Sequence, residues 1–107
     1  MKITAVEATL LKVPLDGPLR PTWNPGVVHQ HTYLTLLQIH TDAGITGVGA
    51  GPATGFEGVV GVHHFLAGSL IGKDPFATER HIKLIRSASV RIGWTWMVEM
   101  ALWDIIG

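Results

Sequence analysis

Two histidines, His29 and His31, stand two residues apart in a stretch with no helical signal. On an extended backbone, residues i and i+2 share a face, so the two imidazoles could hold a metal ion together. Such a site needs a third ligand, and no other donor is tied to the pair by spacing; the competing reading is a pair of ordinary loop histidines. His63 and His64 are adjacent, and adjacent positions on a helix diverge by about 100°, so they do not converge on one ligand. The cluster Gly47-Val-Gly-Ala-Gly51 invites a nucleotide-binding reading. A dinucleotide fingerprint, however, would need glycine where Pro52 or Thr54 stands, and a βαβ context around it. Gly72-Lys73 is followed by Asp74 rather than a hydroxyl residue, and Ala67 occupies the place of the first P-loop glycine. The carboxylates Glu57, Asp74, Glu79, Glu99 and Asp104 are scattered, and no two share a helix face beside a base. There is no serine–histidine arrangement and no H-E-x-x-H. The residues taken alone provide no active site.

What remains is binding, and it points to two loops. Asp16 to Gln30 contains Gly17, Pro18, Pro21, Asn24, Pro25 and Gly26, loop chemistry throughout. It is long for so small a chain, and long ordered loops in compact domains are disproportionately functional. Trp23 sits among its prolines, where it either contacts a ligand or partner or plugs a gap in the protein's own surface. The second loop, Gly51 to Glu57, follows a strand, and the sequence does not place the two loops together.

The elements that would carry these loops are legible from periodicity. Lys2 to Val13 reads as a strand closed by Pro14. His31 to Thr41 reads as a second strand, and Ile45 to Gly51 as a third. Asp42-Ala43-Gly44 between them makes a turn with glycine at the left-handed position. Gly47, Gly49 and Gly51 line one face of the third strand, leaving it bare for close approach of a backbone or a ligand. From Glu57 the period changes. Glu57 to Leu70 reads as a helix weakened by Gly58, Gly61 and Gly68, each costing about 1 kcal/mol relative to alanine. Asp74-Pro75 reads as an N-cap and first helical residue of a helix running to about Ser87, with Glu79 and Lys83 as an i, i+4 pair. After a break at Ser87 to Gly93 comes a last helix from Trp94. Strands first and helices after is α+β architecture.

That last helix is apolar on two faces. Val98, Ala101, Leu102 and Ile105 follow the i, i+3, i+4, i+7 rule, while Trp96, Met100 and Trp103 form a second stripe. A helix apolar nearly all round expects cover on both sides, and one side is left for something outside the 107 residues. Composition agrees: 47% hydrophobic and 15% charged residues is apolar for a small domain, in which about a quarter are usually charged. Eight Lys+Arg balance eight Asp+Glu, which excludes the basic footprint of a nucleic-acid binder. The absence of cysteine excludes disulfides and thiolate metal sites. Glu7 and Lys12 interrupt any signal-peptide pattern, and no run is long enough to span a membrane, so a soluble, cytoplasmic protein is expected.

Five segments are familiar in order and spacing: Met1-Lys-Ile-Thr-Ala-Val-Glu-Ala8, Val13-Pro-Leu15, Ile39-His-Thr-Asp-Ala-Gly-Ile-Thr-Gly47, Leu70-Ile-Gly-Lys-Asp-Pro-Phe76 and Glu99-Met-Ala-Leu-Trp-Asp-Ile-Ile-Gly107. Together they resemble the amino-terminal capping domain of the mandelate racemase/muconate lactonizing enzyme group of the enolase superfamily. The resemblance implies a three-stranded antiparallel sheet followed by a bundle of about three helices. It also implies a (β/α)₈ barrel beyond residue 107 that holds Mg²⁺ and the bases. A racemase, dehydratase or cycloisomerase acting beside a carboxylate would result, with the metal stabilising the enediolate. By position, the loops Asp16 to Gln30 and Ala50 to Glu57 would shape specificity, with Trp23, His29 and Phe56 facing substrate. His81-Ile-Lys83 looks like the family's paired-base motif, but that motif belongs to a barrel strand, so no catalytic residue or metal ligand is expected in this chain. The expected partners are the barrel domain, a small carboxylate such as an acid sugar, and further copies in a homo-oligomer. Two other readings compete: a stand-alone dimerising or ligand-binding module without enzymatic activity, and a small metal-binding protein using His29 and His31.

Overall fold

In the computed structural model, residues 1–20, 22–23, 25–52, 57–92 and 96–107 are described. Three strands, β1 (Ile3–Leu19), β2 (His29–Thr41) and β3 (Thr46–Pro52), form one antiparallel sheet in the order β1-β2-β3. Helices follow: α1 (Glu57–Gly61), a π-helical turn (Val62–Leu66), α2 (Ala67–Leu70), α3 (Thr78–Ile92) and α4 (Trp96–Ile106). The α+β expectation holds. None of these helices is long and apolar enough to cross a membrane.

The helices cover one face of the sheet. Val6 and Ala8 of β1 and Leu37 and Ile39 of β2, alternate residues on their strands, are buried against Val62, Leu66 and Leu70 and against Val98, Ala101, Leu102 and Ile105 of α4. The tight β2–β3 turn is as the sequence predicts, with Gly44 at φ 78°. The bare glycine face serves backbone packing. A Cβ on Gly47 would fall on the Ala101 carbonyl oxygen, and one on Gly49 on the Met97 carbonyl oxygen. The strand therefore admits the α4 backbone to a distance that no side chain would permit.

Three expectations are corrected. Residues 16–30 are not loop throughout: β1 runs on to Leu19 and β2 begins at His29, so only residues 20–28 lie between the strands. Pro14 and Pro18 do not end β1 because it is an edge strand, whose outward side needs no amide donors. Asp74-Pro75 does not start a helix. The Asp74 carboxylate accepts the Phe76 amide at 2.9 Å and its carbonyl accepts the Ala77 amide at 3.2 Å, which makes a β-turn three residues before α3 begins. Asp-Pro favours both structures, and here the turn wins. Finally, α3 does not break at Ser87 but continues to Ile92, with the Ser89 hydroxyl donating to the Arg86 carbonyl at 2.6 Å.

Candidate functional site

The odd-numbered face of β2 is buried from Thr35 through Thr41 under the helices. The same face continues outward through Tyr33, His31 and His29, which are exposed and not covered by the described helices. Six residues separate Thr35 from His29, so the hairpin overhangs the helical layer by about 20 Å at 3.3 Å per residue. Across from it, Lys12 pairs with Tyr33, Pro14 with His31 and Leu19 with His29.

On this overhang Leu15, Leu19, Trp23, His29, His31, Thr32 and Tyr33 line a shallow depression of about 490 Å³. Trp23 is 81% exposed at its rim. The hairpin thus brings together Trp23 and His29, two of the three residues singled out from the sequence. Phe56 lies outside the described residues. Leu15, Leu19 and Tyr33 were missed; the signal for Tyr33 was the unbroken alternation of β2 back to His29. Among the described residues, no carboxylate, lysine or arginine lines the depression. It can offer apolar contact, aromatic stacking and imidazole hydrogen bonds, but not proton transfer between paired acids and bases.

The two loops leave the same end of the sheet. Pro52, the last residue of β3, pairs with Leu34, while the β1–β2 turn opens beyond His29. The start of the second loop therefore lies beside the root of the overhang.

A second concavity, about 670 Å³, lies between the edge strand β3 and the outer face of α4. Val48, Trp96, Glu99, Met100, Trp103 and Asp104 line it. The second apolar stripe read from the sequence is there, with Trp96, Met100 and Trp103 at 37%, 46% and 49% exposure. The Asp104 carboxylate accepts the Val48 amide at 2.9 Å, and Glu99 accepts the Trp103 indole N–H at 3.4 Å.

His40, His63 and His81 are tied into the fold by their hydrogen bonds. His81 is fully buried, donating from Nε2 to the Asp74 carbonyl at 2.7 Å while Nδ1 accepts from Arg80 at 3.2 Å. His63 Nε2 accepts the Ala8 amide at 3.2 Å on the free edge of β1. His40 joins Thr46 at 3.1 Å and lies 3.5 Å from Glu7. Among the described residues no three of His, Cys, Asp and Glu are grouped to hold a metal ion. His29 and His31 do share a depression, but no third ligand among the described residues joins them there.

The sequence profile of the mandelate racemase/muconate lactonizing enzyme N-terminal domain matches residues 5–107. No curated protein matches the chain at a significant level. Among solved structures, a mandelate racemase homologue from Bordetella bronchiseptica RB50, in complex with 2-oxoglutarate/phosphate, is 30% identical over 98% of this chain, with a TM-score of 0.82. The L-Ala-D/L-Glu epimerase of Bacillus subtilis, in a substrate-liganded complex, is 26% identical over 97% of this chain, with a TM-score of 0.81. An enolase-superfamily member from Roseovarius nubinhibens ISM, complexed with magnesium, is 26% identical over 98%, with a TM-score of 0.76. The chain spans 29%, 30% and 30% of the length of those three proteins.

Proposed function

This chain belongs to the N-terminal domain family of the mandelate racemase/muconate lactonizing enzymes, within the enolase superfamily, and from that premise we propose that it is the lid and substrate-specificity domain of a longer Mg²⁺-dependent enzyme. That enzyme removes the proton α to a carboxylate, as a racemase, dehydratase or cycloisomerase. The observation that carries the reading is the overhanging hairpin. It extends the covered face of the sheet about 20 Å past its own helices and carries an apolar, aromatic-rimmed depression lined by Trp23 and His29. A surface of that kind suits closing over a substrate held elsewhere and excluding water from it.

On this reading a (β/α)₈ barrel follows residue 107 and holds the metal ligands and the bases. When bound there, Mg²⁺ would stabilise the negative charge that develops on the substrate carboxylate. The described residues of this chain do not suit that ion, since no trio of ligating side chains converges among them. Their task is to orient substrate and exclude water, and the chain alone is not catalytic. Trp23, His29 and, from the second loop, Phe56 meet the part of the substrate distal to the reacting carbon. The substrate is a small carboxylic acid, with an acid sugar as the first candidate. The enzyme works in the cytoplasm as a homo-oligomer.

The test begins with the intact mass of the natural protein and its coding sequence past Gly107. A following segment of about 250 residues is expected, the size of a (β/α)₈ barrel. The full protein should then exchange the α-proton of a carboxylic acid for deuterium in D₂O, observed by NMR, and lose that exchange with EDTA. A natural chain ending at residue 107, or metal-independent activity, would overturn the proposal.

A further inference from the structure

The concavity between β3 and α4 has no part in substrate recognition as described above, yet it gathers three large apolar side chains on one exposed helix face. We infer that this groove is the seat of the domain that follows, and that it receives an apolar side chain flanked by an arginine or lysine. The inference rests on the proposed lid reading and specifies which face of the lid is docked and by what chemistry.

Two observations carry it. The first is charge. Glu99 and Asp104 line the groove together with Val48, Trp96, Met100 and Trp103, and among the described residues neither lysine nor arginine lines it. An apolar floor with only carboxylates on its rim favours a partner whose apolar anchor stands beside a cation. This chain spans only 29% to 30% of the length of the relatives compared above, which leaves room for a further domain as the occupant. The second is the state of the strand edge. β3 is an edge strand, and edge strands commonly recruit a partner strand through free amides. Here the outward Val48 amide is already taken by the Asp104 carboxylate at 2.9 Å. The same bond fixes Asp104 in place, so strand addition is blocked at Val48 and the seat works through side chains.

Hydroxyl-radical footprinting of the full natural protein, read by mass spectrometry, tests this directly. Oxidation of methionine and tryptophan follows their exposure. Met100 and Trp103 should be oxidised about fivefold less than their exposure within residues 1–107 implies, with Trp23 as the reactive internal standard. Glu99→Lys should restore much of that oxidation by opposing the partner's cation, while Val13→Glu, on an exposed position of β1, should leave it unchanged. If a second domain follows residue 107 and Met100 and Trp103 nonetheless react freely, the inference fails and the lid reading stands. Protection that disappears on dilution would assign the groove to a second copy of the chain and also overturn it. If the coding sequence holds no further domain, both fall together.

Discussion

At Gly49 the β3 backbone lies against the carbonyl of Met97, and the space a methyl group would need is already filled by backbone that cannot swing aside. Gly49→Ala should therefore destabilise the protein by about 2–3 kcal/mol through overpacking. Gly17→Ala, at a position where a Cβ meets nothing within 4 Å, should change stability by less than about 0.5 kcal/mol. Urea unfolding of the two variants checks the contrast, and equal midpoints would mean that α4 can shift away from the strand. His81 is the second such residue. Fully buried and bonded at both ring nitrogens, it joins α3 to the turn at Asp74. His81→Leu leaves the Asp74 carbonyl without this donor and should cost about 1–3 kcal/mol. A loss near zero would show that water replaces the imidazole. Trp23 behaves in the opposite way. At 81% exposure, its replacement by alanine should shift the unfolding midpoint little, by under about 0.5 kcal/mol, because it buries almost nothing within this chain. If the chain is the lid proposed above, the same change in the longer protein should raise KM or alter the ranking of substrates. Unchanged kinetics across a panel of acids would remove Trp23 from the lid's contact surface.

At the scale of elements, the parts governed by a strong local period were legible. The β2–β3 hairpin follows from alternating apolar residues around Asp42-Ala43-Gly44, and its register joins Leu37 to Gly49. The two-faced character of α4 follows from its 3.6-residue spacing, with Val98 and Ala101 fully buried and Met100 and Trp103 left outside. The overhang was not legible, because Pro14, Gly17 and Pro18 carry loop chemistry in any single sequence. Their place at the free edge of β1, where an amide is not needed, is a property of the sheet and not of the local residues. Asp74-Pro75 was misleading for a related reason: the pair suits a helix start and a β-turn equally, and the turn's contact with buried His81, seven residues on, is not visible in the local residues. As for the site, Trp23 and His29 were visible as types, but their convergence required the hairpin. The latch between α4 and β3 was likewise hidden, since Asp104 reaches an amide 56 residues away. Asp104→Ala should weaken the protein by about 1 kcal/mol, the usual net worth of one hydrogen bond. Amide hydrogen exchange should show the loss as faster exchange at Val48. Unaltered exchange there would mean that the edge amide finds another acceptor.

Over the whole molecule, the exposed apolar surface is unevenly placed. The core beneath the sheet is closed by residues such as Ile3, Leu37, Ile39, Leu66 and Leu70, none more than 1% exposed. Among the described residues, two apolar patches outside it are the depression on the overhanging hairpin and the groove on α4. Large apolar patches on a small protein mark binding surfaces and, when left uncovered, drive association. Residues 1–107 produced alone should accordingly bind an environment-sensitive apolar dye. The paired change Met100→Lys and Trp103→Lys should clearly lower that signal, since it removes the apolar patch on α4. The core residues of α4 face the opposite way, so the pair should leave the cooperative unfolding transition in place. A dye signal untouched by the double change would place the binding surface on the hairpin alone. Covering the α4 groove would then contribute nothing to keeping the lid soluble, and its apolar stripe would need another physical reason.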